Sequence, residues 1–243
     1  FYLDNNRWNQ IYEEGHFPDH MVIRLGANIM ADIKYDSTPI KGGEDVRLSL
    51  SDSQFLNISK YEEDTSIFVI DLEDSSRITE DDEIQGYHLK RKLHKYCTHY
   101  FQQNNATMFG STGDGLWALF QTPHEALYAC FQILEHTSKR NERTANEMMN
   151  LRIGLHHGKA FVFQDDILNA HGHDVNIAFR LEGLNSNDFI QLDKEFPNSN
   201  RVLCSKDFHD RLCSMGEPPR KCIKLGAAKL KKIEQPVDVF LIV

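Results

Sequence analysis

The run Ser66-Ile67-Phe68-Val69-Ile70-Asp71-Leu72 constrains this chain more than any other segment. Apolar residues unbroken over strand length leave no side for water, so the run reads as a strand buried on both faces, which needs a covering layer on each. It ends in acid at Asp71. Downstream, Thr79 followed by Glu80, Asp81 and Asp82 reads as a helix N-terminus, with anions set against the positive end of the dipole. Leu89, Leu93, Tyr96, Cys97, Tyr100 and Phe101 then recur at three- and four-residue steps and give that helix one apolar face, ending before Asn104-Asn105.

Two short strands, 107–109 and 116–120, are expected around Gly110-Ser-Thr-Gly-Asp-Gly115, making a hairpin with Asp114 at its tip. A helix follows from about Pro123 to Arg140, with Leu127, Cys130, Phe131 and Leu134 on one face. Strands are expected at 151–155 and 159–163, flanking His156-His157-Gly158; 175–184 has helical spacing, and 237–243 is a last apolar strand. This order predicts an α+β sandwich: a mainly antiparallel sheet with helices on one face. Residues 1–64 read as an irregular N-terminal extension and 65–243 as the functional domain.

A length of 243 residues suits one core, and no apolar stretch approaches the roughly 20 residues of a membrane span, so a chain without membrane contact is expected. Because the sequence starts at Phe1 rather than Met, an upstream segment is expected to have been trimmed or processed. A net charge of −9 argues against a nucleic-acid surface, since such affinity comes mostly from Lys and Arg neutralising phosphates. Cys97, Cys130, Cys204, Cys213 and Cys222 are odd in number and scattered, which fits a reducing cytoplasm. Cys213 and Cys222 lie near His209, but no Cys-x-x-Cys pair or second His stands at zinc-ligand spacing.

In the predicted order the strands carrying Asp71 and Asp114 are sheet neighbours, bringing together two carboxylates expected to be unpaired. Such a pair suits Mg²⁺, a hard cation commonly held by one or two carboxylates together with substrate phosphates.

Phe68-Val-Ile-Asp71, Gly113-Asp-Gly115, Arg152-Ile-Gly-Leu-His156 with Gly158, Val175-Asn-Ile-Ala-Phe-Arg-Leu181, and Leu230-Lys231 before Pro236-Val237 stand in order over about 65–243. Together they resemble the class III adenylate and guanylate cyclases. The resemblance implies a ferredoxin-like cyclase sandwich and a homodimer with composite active sites. It also implies closure of a nucleoside triphosphate to a 3′,5′-cyclic nucleotide with release of pyrophosphate. By that resemblance Asp71, Asp114 and the Leu72 carbonyl hold two Mg²⁺ or Mn²⁺ ions, and Arg152 meets the triphosphate. From the other subunit Asn176 orients the ribose, Arg180 stabilises charge at the α-phosphate, and Lys231 grips the terminal phosphates. Asn176 and Arg180, four apart, share one helix face. His156 and His157 follow a strand where the family often has a His without a catalytic part, and they are read as structural.

Two stretches depart from the family pattern. Where purine cyclases usually carry a Lys and an Asp that read the base, this chain has Gly110 and Asn169. Losing that donor removes a purine contact, and such contacts decide selectivity by orders of magnitude. The change resembles the pyrimidine cyclases of bacterial anti-phage (Pycsar) signalling, which implies UTP or CTP as substrate. An adenylate cyclase making cyclic AMP and an inactive nucleotide-binding module are the alternatives. In Glu73-Asp74-Ser75-Ser76, Ser76 keeps the family's hydroxyl near the substrate, whereas Asp74 replaces a Gly and would repel phosphates unless it points away or joins the metals.

Overall fold

A computed structural model describes Glu62–Val243 apart from 145–146, 165–167 and 198, together with the backbone of Met21–Leu25 and Ile29–Ile33; the side chains of 62–63 and 163–169 lie outside the described residues. The chain divides into two units, Phe1–Tyr61 and Glu62–Val243. In the first unit, β1 (Met21–Leu25) and β2 (Ile29–Ile33) pair antiparallel. This corrects the expectation of a wholly irregular 1–64: both runs are rich in strand-forming apolar residues and are separated by a Gly- and Asn-containing triplet.

The second unit is built on a nine-stranded sheet. Its strands are β3 (Glu62–Leu72), β4 (Met108–Ser111), β5 (Leu116–Phe120), β6 (Leu151–Gln164), β7 (Leu168–His171), β8 (Phe189–Leu192), β9 (Arg201–Ser205), β10 (Cys222–Ala228) and β11 (Val237–Ile242). They lie in the order β4-β5-β3-β6-β9-β11-β10-β8, with β7 paired to β6. Every ladder is antiparallel except β6 with β9. The helices are α1 (Ser75–Asp81), α2 (Glu83–Gln103), α3 (Pro123–Asn141), α4 (His173–Glu182) and α5 (Lys206–Ser214). This is the mixed α+β sandwich expected from the sequence.

Strand alternation on β3 assigns its two faces. Phe68, Ile70 and Leu72 join the core under α2, α3 and α5, where Leu89, Leu93, Cys97 and Phe101 of α2 recur at four-residue steps and are buried. Phe68 meets Phe101 edge-on at 5.1 Å between ring centroids, an arrangement favoured by the ring quadrupoles. Ile67 and Val69 face the other way, onto Val175 and Ala178 of α4. Three helices therefore cover one face and α4 covers the other, which corrects the expectation of helices on one face only: Ile67 and Val69 are apolar too and need their own cover.

Several boundaries differ from the sequence reading. The main helix starts one turn late: Asp82, not Thr79, is its N-cap and accepts from the Gln85 N–H, while Thr79 Oγ1 donates back to the Ser75 carbonyl within α1. The two strands expected around His156-His157-Gly158 form one strand, β6, because its partner β3 begins at Glu62 and runs the length of the ladder to pair Thr65 with Gly158. Gly110, expected in the hairpin loop, lies inside β4 opposite Trp117. The helix expected at 175–184 begins at His173 and ends at Glu182, followed by Gly183.

Helix α4 sits hard on β6, because a Cβ at Gly154 would lie 2.4 Å from the Ala178 carbonyl oxygen and 2.5 Å from the Glu182 nitrogen. Gly154→Ala should therefore lower unfolding free energy by about 2–3 kcal/mol in urea titrations, the cost of overpacking against backbone that cannot give way.

Candidate active site

The ladder registers converge at the end of β3. Ile70 pairs with Leu116 on one side and Asp71 with Arg152 on the other. The turn before Leu116 passes so close to β3 that a Cβ at Gly115 would lie 2.2 Å from the Ile70 carbonyl oxygen and 3.2 Å from Asp71 Oδ1. Glycine at 115 permits that approach, and it carries Asp114 to the side of Asp71.

Both carboxylates are paired within the chain, which corrects the expectation that they are free. Asp71 Oδ2 accepts from Arg152 Nη2 at 2.7 Å, as their direct cross-strand position allows. Asp114 Oδ1 lies 2.7 Å from Lys90 Nζ of α2, and Asp114 Oδ2 accepts from Ser75 Oγ at 2.9 Å. The Lys90 contact, helped by Ser75, holds the Asp114 carboxyl below the usual carboxylate range. Asp71 Oδ1 remains buried without a hydrogen-bond partner. Among the described residues no three His, Cys, Asp or Glu side chains gather as a ready-made metal cage. An orphaned carboxylate oxygen beside a second carboxylate nonetheless fits Mg²⁺ or Mn²⁺, which take their remaining ligands from substrate phosphates and water. Asp71, Asp114 and the carbonyl of Leu72, the last residue of β3, are the groups that would hold such ions.

Behind Asp71 runs a chain of alternating charge. Arg152 Nε lies 2.9 Å from Glu182 Oε1, at the C-terminus of α4. Arg201 donates to the Leu184 carbonyl at 2.9 Å and lies 3.7 Å from Glu73 Oε1. Burial works against the charge on Arg152, but Glu182 and Asp71 outweigh it and raise its pKa. Burial pushes the Glu182 carboxyl up to about 7 against the pull of Arg152, and burial likewise raises Glu73.

The other expected residues fall in three places. Ser76 is exposed, and the hydroxyl that reaches Asp114 belongs to buried Ser75. Asp74 adopts the left-handed conformation, φ 56°, which explains a Gly at this place in the family pattern; its carboxylate pairs with Arg77 at 3.1 Å, on the surface and away from Asp71. Asn176 and Arg180 are exposed one turn apart on the outer face of α4, and Lys231 is exposed in the turn between β10 and β11. Among the described residues no contact joins these three to Asp71 or Asp114. The single chain thus brings together Asp71, Asp114 and Arg152, and presents Asn176, Arg180 and Lys231 outward.

Asn169 lies on β7 opposite Phe163, and its side chain is outside the described residues. Its strand approaches β4, which carries Gly110. His156 is buried, with Nδ1 2.7 Å from Ser205 Oγ and Nε2 3.6 Å from Asp174 Oδ1. Asp174 Oδ2 also accepts from the Lys159 N–H at 2.7 Å, so these contacts pin the first turn of α4 to β6 and β9. His157, lowered by burial, meets Ser66 Oγ at 3.0 Å.

No protein-family model matches the sequence, and no curated protein matches it. Solved structures do match. The adenylyl cyclase CyaB from P. aeruginosa aligns over 75% of this chain and 94% of its own, with TM-score 0.61 and 16% identity. The adenylate/guanylate cyclase/hydrolase from Silicibacter pomeroyi aligns over 75% and 97%, with TM-score 0.60 and 25% identity. The chain has the class III nucleotide cyclase fold. The guanylate cyclase domain of RhGC from Catenaria anguillulae, solved with GTP, shares this cyclase fold over 75% and 97% of the two chains, at TM-score 0.58 and 16% identity.

Sequence reasoning missed Ser75, Lys90, Glu182 and Arg201. Glu182 was within reach of it, since it stands two residues after Arg180 in the quoted helix and its inward position follows from the helical period. The folded Glu182 carboxyl titrates near 7 against an ordinary 4.5, so between those values the folded state keeps a proton that the unfolded state has lost, and stability falls as pH rises. In metal-free protein, the melting advantage of wild type over Glu182→Gln should therefore shrink between pH 5 and pH 7, by roughly 1–3 kcal/mol. A difference that grows over this interval would contradict the protonated, buried carboxyl.

Proposed function

We propose that this chain is a homodimeric nucleotide cyclase that converts a nucleoside triphosphate, UTP or CTP, into its 3′,5′-cyclic nucleotide and pyrophosphate. The observation that carries the reading is the approach of the turn bearing Asp114 to Asp71, whose Oδ1 is buried without a hydrogen-bond partner, on a cyclase fold whose outer α4 face presents Asn176 and Arg180 without a partner among the described residues. A head-to-tail second copy would bring its Asn176, Arg180 and Lys231 over the carboxylates. Such composite sites account for two half-sites that a single chain keeps apart.

In this reading the ribose 3′-oxygen bonds to the α-phosphorus as the bond to the pyrophosphate oxygen breaks, and the hydroxyl proton passes to solvent. Asp71 and Asp114 fix the site's anionic floor, and Arg152, already beside Asp71, is placed to meet the triphosphate. Asn176 aligns the ribose, Arg180 offsets the charge that grows at the α-phosphate, and Lys231 holds the terminal phosphates. Positioning and charge stabilisation suffice for this class of reaction. Mg²⁺ or Mn²⁺, when bound, lowers the pKa of the 3′-hydroxyl and neutralises the leaving pyrophosphate.

The preference for a pyrimidine rests on Gly110 and Asn169 standing where purine cyclases have a Lys and an Asp. A pyrimidine cyclase acting in the cytoplasm would make a second messenger for anti-phage defence. Incubation with ATP, GTP, CTP and UTP plus Mn²⁺, followed by mass identification of products, should yield cyclic UMP or cyclic CMP, and none in EDTA. Cyclic AMP as main product would favour the adenylate cyclase alternative, and no cyclic product from any triphosphate would favour a binding module. Mixing inactive Asp71→Ala with inactive Arg180→Ala should restore about a quarter of wild-type activity, since one composite site in each mixed dimer is intact. No recovery under proven subunit exchange would place the site within one chain.

A further inference from the structure

The place vacated by a side chain at Gly110 is not empty. Gly110 and Trp117 are direct cross-strand partners on β4 and β5. A Cβ built on Gly110 would lie 2.9 Å from each of Trp117 Nε1, Cε2 and Cζ2, so the nitrogen-bearing side of the indole lies over the bare backbone. Trp117 packs with Ile67, Val69, Leu119 and Val175 and is only 7% exposed, which holds the ring in one orientation. Gly110 itself stays partly open to solvent, at the edge strand that approaches β7. No hydrogen bond from the Trp117 indole nitrogen is present among the described residues, and Nε1 is absent from the buried groups left unpartnered. The N–H is therefore held beside Gly110 with access to solvent, and no described side chain engages it.

Resting on the cyclase reading above, we propose that Trp117 is a specificity-determining residue whose indole N–H donates to the 4-keto oxygen of a uracil base seated beside Gly110. The indole nitrogen is a donor only and cannot accept. The 4-amino group of cytosine presented to it would leave two donors facing each other, and a site that hydrogen-bonds a substrate group rejects an analogue unable to make that bond. Among pyrimidines this selects uracil over cytosine, and it makes UTP the substrate. Packing of Trp over a cross-strand Gly also stabilises sheets, but that role needs the ring and not its nitrogen.

The test separates the two. Trp117→Phe keeps an aromatic ring over Gly110 and removes the donor. Wild type should favour UTP over CTP in kcat/KM, and Trp117→Phe should reduce that ratio about tenfold, with a melting temperature within a few degrees of wild type. An unchanged ratio in the folded variant, or a wild type that favours CTP, would overturn the proposal. Gly110→Ala, which forces the indole edge away, should reduce the ratio in the same direction and serves if Trp117→Phe does not fold. A second arm needs no turnover. The chain's two tryptophans are Trp8 and Trp117, so in Trp8→Phe protein the emission reports on Trp117 alone. Saturating α,β-methylene-UTP with Mn²⁺ should shift it, and α,β-methylene-CTP should not; equal responses or none would refute the contact. Absence of any cyclic product would instead remove the cyclase reading, leaving the fluorescence result to decide the contact by itself.

Discussion

The approach of the β4–β5 tip to the end of β3 is the contact on which the rest of the site depends. The separation at Gly115 leaves no room for a Cβ, and the ladder that produces it is the same one that buries the apolar run of β3. Hydrophobic burial along β3 thus supplies the free energy that holds Asp114 beside Asp71, an arrangement that like charges alone would oppose. The pairing with β6 adds Arg152 at the register position of Asp71, and α1 and α2 add Ser75 and Lys90 to Asp114. The chain's own cations balance these carboxylates.

Helix α4 divides its duties by face. Its outer side presents Asn176 and Arg180, while its last residue, Glu182, turns inward to Arg152 and through it to Asp71. Gly154 beneath it and the His156–Asp174–Lys159 contacts at its first turn leave the helix little freedom to shift. The half-buried ionic chain from Glu73 through Arg201, Glu182 and Arg152 to Asp71 adds little net stability, because desolvation offsets most of the attraction. Its consequence is orientation: each guanidinium is held by at least one carboxylate, so Arg152 faces Asp71 rather than solvent.

Much of this was legible in the sequence, for identifiable reasons. The doubly buried strand, the α2 stripe and the β4–β5 hairpin each carry a strong periodic or turn signal, and the strands they define had to be neighbours. Asp71 and Asp114 were found because both sit where such elements end. What escaped was set by tertiary contact. Ser75 rather than Ser76 meets Asp114 because a helix begins at that point, and only the backbone decides which of two adjacent hydroxyls turns inward. Lys90 lies among other charged residues on a long helix and has no local mark of its partner. Gly110 read as a missing donor; the structure places Trp117 against it, a pairing visible only in the ladder register.

Direct counting of bound Mn²⁺ tests the central claim that Asp71 and Asp114 form one cation site completed by a triphosphate. In electron paramagnetic resonance titrations with α,β-methylene-UTP, the account predicts two tightly bound Mn²⁺ per chain, few without nucleotide, and at least about 100-fold weaker binding in both Asp71→Asn and Asp114→Asn. Mn²⁺ binding in either variant indistinguishable from wild type would contradict it.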